Sequence, residues 1–106
     1  MKLIAYSVFD SKSGVYSTPY FYVNDATAIR AFTLAVNDER SNINAFPGDY
    51  TLYKIGDFDD NVAILSQCNP IPICNAVSVH RPKVSMVQEE VAKVLKPVLV
   101  DNGQPC

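Results

Sequence analysis

The sequence predicts an α+β domain: an antiparallel sheet of about four strands in the order β-β-α-β-β, with one helix on a face, followed by an extended segment and a second helix. Three observations carry this reading. Two short polar stretches, Asp10–Gly14 and Gly56–Asn61, each separate a pair of strand-like runs. Between the pairs lies one run of helical period that starts at a polar cap, Asn24-Asp25. The composition, 48% hydrophobic and 19% charged in 106 residues, is that of a chain able to bury one core.

Lys2–Phe9 is apolar on both alternating sides: Leu3, Ala5 and Phe9 on one, Ile4, Tyr6 and Val8 on the other. A strand apolar on both faces belongs in the middle of its sheet. Val15–Val23 follows as the second strand, with Val15, Phe21 and Val23 alternating against Tyr16, Tyr20 and Tyr22. Pro19 has no N–H for a ladder, so this strand is bulged or lies at an edge. In the helix, Ala28, Ile29, Phe32, Ala35 and Val36 share a stripe that Leu34 leaves, and the run ends near Arg40. Pro47-Gly48-Asp49 turns the chain into a third strand, Tyr50–Ile55, and Val62–Leu65 returns as the fourth. The expected core is Leu3, Ala5, Ile29, Phe32, Val36, Leu52 and Ile55.

Residues 1–65 thus form the core domain. Residues 66–83 form an extended connector, whose three prolines break any period while Ile71, Ile73, Val77 and Val79 call for burial. Residues 84–106 hold a second helix and a tail. Ser85 and Gln88 match a capping box, Glu89 and Glu90 lie in the first turn, and Pro97 stops the helix after Lys96. Val87, Val91, Val94 and Leu95 make its apolar stripe, which either docks on its own domain or pairs between subunits.

The net charge of −2 excludes a protein that coats nucleic acid by charge alone. Charge is uneven: residues 1–65 carry five positive and eight negative side chains, residues 66–106 four and three. No run reaches the eighteen apolar residues of a membrane span, and the start MKLIAYSVFD lacks the core and cleavage site of a signal peptide, so the expected location is the cytoplasm and no membrane partner is expected. Three cysteines, Cys68, Cys74 and Cys106, cannot pair completely and fit no zinc spacing; free thiols in a reducing compartment are expected.

The candidate chemistry is thin. Asp57, Asp59 and Asn61 match the first side-chain ligands of a calcium loop, but Val62 stands where that loop needs glycine and Cys68 where it needs a bidentate glutamate. A solvated hairpin loop is the better account. His80 is the only histidine, no serine or cysteine lies in a nucleophile setting, and no phosphate loop is present. No catalytic residue, metal or cofactor is therefore expected, and the protein is read as not an enzyme. The tyrosine row is the suggestive feature. Tyr16, Tyr20 and Tyr22, projecting from one side of the second strand and away from the helix, could stack unpaired bases, with Lys12, Arg81 and Lys83 touching phosphates. The other account packs these rings under the C-terminal segment or a second subunit.

One stretch is specific beyond its physics. Asn24-Asp25-x-x-Ala28-Ile29-Arg30-x-Phe32, then Val36-Asn37-Asp38, then Pro47-x-Asp49-Tyr50-x-Leu52-Tyr53-Lys54-Ile55-Gly56-x-Phe58-Asp59 resembles the small non-structural protein of gokushoviruses, single-stranded DNA phages of the microvirus family. The likeness covers about residues 1–65 and includes the MKLIAYSVFD opening. It implies a phage accessory protein in the host cytoplasm that binds single-stranded DNA or the replication complex, at the switch from genome replication to packaging. The resemblance brings no catalytic residues; Asn24, Asp25, Phe32 and Gly56 read as cap, core and turn. The rival expectation is a protein–protein adaptor for procapsid or a host factor. A homodimer is expected from the apolar surface that one helix leaves over.

Overall fold

A computed structural model of the protein describes residues 1–81. The valine-stripe helix with Val87, Val91, Val94 and Leu95, and the candidate contact Lys83, lie outside the described residues.

The fold is α+β, a curled antiparallel sheet with one main helix on it, as the two hairpin signals and the single amphipathic run require. Strand β1 (Lys2–Asp10) is central. Strand β4 (Tyr50–Asp59) pairs along its whole length on one side, and β5 (Ile64–Asn75) lies outside β4. On the other side β1 pairs with two short strands, β2 (Val15–Tyr16) and β3 (Tyr20–Tyr22). These two are one edge strand broken where Pro19 was expected to break it. Ser17 stitches the gap: its backbone N–H donates to the Val8 carbonyl at 2.9 Å, and its Oγ accepts the Val8 N–H at 2.9 Å. The Ser7 hydroxyl, 1% exposed, donates to the Ser17 carbonyl at 2.7 Å.

Helix α1 (Asp25–Val36) starts at Asn24, whose side chain accepts the Thr27 N–H at 2.9 Å while Thr27 Oγ1 faces the Asn24 N–H, a reciprocal cap. It buries Ala28, Phe32 and Val36, and Leu34, off the stripe, is 72% exposed. The helix stops one turn earlier than its period suggests. The Asn37 amide turns back to the Thr33 carbonyl at 2.9 Å and out to the Val79 carbonyl at 2.9 Å, so its side chain replaces the next helical bonds. After the helix, the chain winds into a short second helix α2 (Asn42–Ala45) capped by the Ser41 hydroxyl.

Two expectations are corrected. The strand read as Tyr50–Ile55 runs on to Asp59, and Gly56 lies within it, opposite Ala5, rather than in a turn. The return strand does not end at Leu65 but continues to Asn75, so residue 65 marks no break and much of the presumed connector belongs to the sheet. Pro70 and Pro72 are tolerated because β5 is an edge and because its register slips: the single residue Ile55 faces Cys68, Asn69 and Pro70.

The helix packs on Ile4, Tyr6 and Val8, not on Leu3 and Ala5. Its core is Tyr6, Ala28, Phe32, Val36, Leu52 and Ala76, with Ile29 partly buried against it. Leu3 and Ala5 lie on the opposite face, where Ala5 is buried as expected though not against the helix, and Ile55 sits in the bulge, lining a cleft on that same face. Tyr6 ties the covered face to the helix: fully buried, its hydroxyl donates to Asp25 at the helix start, 2.5 Å away. Lys54 Nζ stands 3.6 Å from the same carboxylate.

Candidate functional site: the helix-free sheet face

The ladder partners fix which side chains share the face that the helix leaves bare. On β1 these are Leu3, Ala5, Ser7 and Phe9; Tyr16 lies opposite Phe9, and Phe21 opposite Ala5. Thr51, Tyr53, Gly56 and Phe58 follow on β4, then Leu65, Gln67, Pro72 and Asn75 on β5. None of these residues is charged. A sheet face without a single charge, in a domain with fourteen charged side chains among its described residues, is an unusual use of surface.

Aromatic rings dominate this face in two groups. Phe9, Tyr16 and Tyr53 form a cluster, with ring centroids 4.7 Å apart for Phe9–Tyr16, 5.5 Å for Tyr16–Tyr53 and 6.1 Å for Phe9–Tyr53. Phe21 and Phe58 meet edge-on at 5.9 Å. Beside the second group lies an open cleft of about 440 Å³, lined by Ala5, Phe21, Ile55, Leu65, Gln67 and Pro70 among others. Tyr16 and Phe21 remain nearly half exposed. Offset and edge-to-face contacts of this kind hold rings in place while leaving part of their π-surface free.

The expected tyrosine row is not one row. Tyr16 belongs to the bare face, but Tyr20 and Tyr22 pair with Tyr6 and Ile4 and so point to the helix side. There they line a smaller apolar cavity of about 150 Å³ with Val8, Ala28, Ala31 and Phe32. The cause is a count. From Phe9 to Tyr6 the central strand advances three residues, while from Tyr16 to Tyr20 the edge advances four. One extra residue inverts the alternation of everything after it. Phe9, Tyr53, Phe21 and Phe58 are the face residues that the sequence reading missed. The period-two alternation of Tyr53 with Leu52 was the available signal for one of them.

The candidate cations are separated. Lys12 sits in the loop between Asp10 and Val15, which continues the two strands at the Phe9–Tyr16 end of the face. Its backbone N–H donates to Asp10 Oδ1 at 3.0 Å, a bond that holds the Asp10 carboxyl below its usual range. Arg81 is in the helix layer, where its N–H donates to Asn37 Oδ1 at 2.6 Å. The structure does not bring Arg81 to the bare face. His80 Nε2 lies 3.5 Å from the Asn44 side-chain amide, and among the described residues no three His, Cys, Asp or Glu side chains gather as metal ligands would. Asp57 and Asp59 are ladder residues, with Asp59 Oδ1 capping the Asn61 N–H of the turn. Cys68 and Cys74 are free thiols. No helix among the described residues is long and apolar enough to cross a membrane.

A sheet with a helix on one face and an uncharged aromatic surface on the other defines a small two-layer α+β module. Residues 3–79 match the family model described as Phage ORF5 protein, and the chain belongs to that phage protein family. The match covers the whole described fold from β1 to the last turn, including the β5 segment beyond residue 65. No curated protein and no solved structure matches the chain.

Proposed function

We propose that this phage accessory protein binds single-stranded DNA on its helix-free sheet face, as a non-enzymatic partner of the replicating genome at the switch to packaging in the host cytoplasm. The observation that carries the reading is the Phe9–Tyr16–Tyr53 cluster on a sheet surface that no described element covers. Unpaired bases stack on such rings at about 1–3 kcal/mol each without sequence preference. Duplex DNA keeps its bases stacked inside and gains nothing from them. Lys12, at the aromatic end of the face, supplies a phosphate contact, so affinity falls only gently with salt. Tyr20 and Tyr22, turned toward the helix, leave the stacking role to Tyr16 and Tyr53.

Fluorescence anisotropy with a labelled oligothymidylate and a duplex of equal length tests this. Single strands should bind better at low salt. Tyr16→Ala and Tyr53→Ala should each weaken binding by roughly 5- to 150-fold, the equivalent of one lost stack. Tyr20→Ala should leave affinity unchanged, and Lys12→Ala should reduce the salt slope by about one. A second reading, an adaptor for procapsid or a host protein, is favoured by the absence of charge on this face and by the net −2. It requires no measurable affinity for either form of DNA.

A further inference from the structure

An edge strand exposes alternate N–H and C=O groups, and proteins guard such edges with charges, prolines, bulges or short length. Strand β5 is twelve residues long and, among the described residues, ends the sheet on its side. From Asn61 to Val79 the chain has no charged side chain. Pro70 and Pro72 guard the half of β5 that approaches Asn75, where the register also slips at Cys68–Pro70, but Ile64–Asn69 has neither proline nor charge and Ile64–Gln67 keeps regular register with β4. Ile64 and Leu65 on it are 56% and 65% exposed.

We propose that Ile64–Asn69 is the edge at which two copies of this chain join, the two β5 strands running antiparallel about a two-fold axis. An antiparallel segment is its own complement when a residue lies on the axis: Ser66 of one copy faces Ser66 of the other, Leu65 faces Gln67, and Ile64 faces Cys68, so that facing side chains share a side of the sheet. Such an isologous contact closes at two copies. Charge selects the occupant. Two copies of an acidic chain meet here without repulsion, because the nearest strand carboxylates, Asp57 and Asp59, lie one strand inward on β4. Across the junction they are three strand spacings apart, about 14 Å, beyond a screening length of about 8 Å. A nucleic acid or a charged peptide finds nothing to pair with on this edge. The axis stands perpendicular to the sheet, so both helices fall on one side and the two bare aromatic faces join on the other. Five paired residues per copy bury little area, so the dimer is weak, forming in the micromolar range.

Sedimentation velocity on the reduced full-length chain, without DNA, tests the contact independently of any role of the face. Mass should rise from 11.7 kDa toward twice that value between low and high micromolar concentration, equally at low and high salt. The double variant Ile64→Lys/Leu65→Lys changes two side chains that are exposed in the single chain, so its melting at low concentration should stay near the parent's. Its dimerisation should weaken by roughly tenfold or more, since four ammonium groups then meet at one edge. Amide exchange gives a second readout: Ile64–Asn69 should gain protection as concentration rises. A chain that stays at 11.7 kDa in the high micromolar range, or a double lysine variant that dimerises as the parent does, overturns the proposal. So does protection of Ile64–Asn69 that is already complete in dilute solution, which would mean that residues 82–106 cover the edge.

Discussion

Tyr6 ties the central strand to the helix start, and its environment sets a pH dependence. Burial, then the hydrogen bond to Asp25 and the charge of that carboxylate, push the phenol well above its ordinary pKa of 10.0. In the unfolded chain Tyr6 ionises near that ordinary value, so at higher pH the unfolded state releases a proton that the folded state keeps. The stabilisation is therefore complete below pH 10 and declines as pH rises beyond it. Chemical denaturation across the alkaline range should show this loss, and Tyr6→Phe should flatten it while costing about 1 kcal/mol at neutral pH. An alkaline limb identical in the two proteins would place its origin elsewhere. Gly56 makes a second demand at this scale. A Cβ there would lie inside the van der Waals shell of the Ser66 carbonyl oxygen and close to Gln67 Cα, both backbone atoms that cannot swing aside. Gly56→Ala should destabilise the domain by several kcal/mol, roughly the upper end for single substitutions, and a melting temperature unchanged from the parent would refute this close approach of β4 and β5.

At the scale of elements, the break between β2 and β3 decides the most. Ser17 ties it together: its N–H donates to the Val8 carbonyl, its hydroxyl receives the Val8 N–H, and its carbonyl receives the buried Ser7 hydroxyl. Ser17→Ala removes the side-chain acceptor and leaves a ladder N–H without a partner, so it should cost about 1–3 kcal/mol. Faster exchange at the Val8 amide is the measurement, and an unchanged rate would contradict the assignment. The sequence carried much of this architecture. Asn24 capped the helix as its residue type demands, the apolar alternation on both sides of β1 marked a central strand, and Pro19 marked a broken edge. Parity across the break was beyond it. Whether Ser17–Pro19 inserts an odd or an even number of residues depends on hydrogen bonds that no local pattern encodes, and on that number hung the placement of Tyr20 and Tyr22. The face that α1 covers was equally hidden, because Leu3, Ala5 and Phe9 are as apolar as Ile4, Tyr6 and Val8. The structure separates them by the reach of the Tyr6 hydroxyl to Asp25 on the helix side and by the polar Ser7, bonded to Ser17, on the other. Strand β5 was missed because Pro70 and Pro72 read as breakers when the strand is not known to be an edge.

At the scale of the molecule, one layer of helix serves one face of the sheet, and the candidate site is what remains. Lys12 and the three-ring cluster lie at the same end of the bare face, whereas Arg81 lies in the helix layer, its backbone N–H bonded to Asn37 at the end of α1. The site was thus partly legible: Tyr16 and Lys12 came from the sequence, while Phe9, Tyr53, Phe21 and Phe58 required the register. The same register has a consequence for how the chain assembles. Its central strand is made first, yet its principal neighbour is distant, with Asp10 opposite Tyr50 and Lys2 opposite Asp59. While the ribosome is still making α1, β1 has only the short β2–β3 strand beside it and lacks the β4 side of the sheet. Closing that long span makes the contact order high, and chains of this kind fold in milliseconds to seconds rather than microseconds. Stopped-flow refolding should find a main phase in that slow range, and during synthesis β1 should remain open to chaperones until Asp59 has left the exit tunnel.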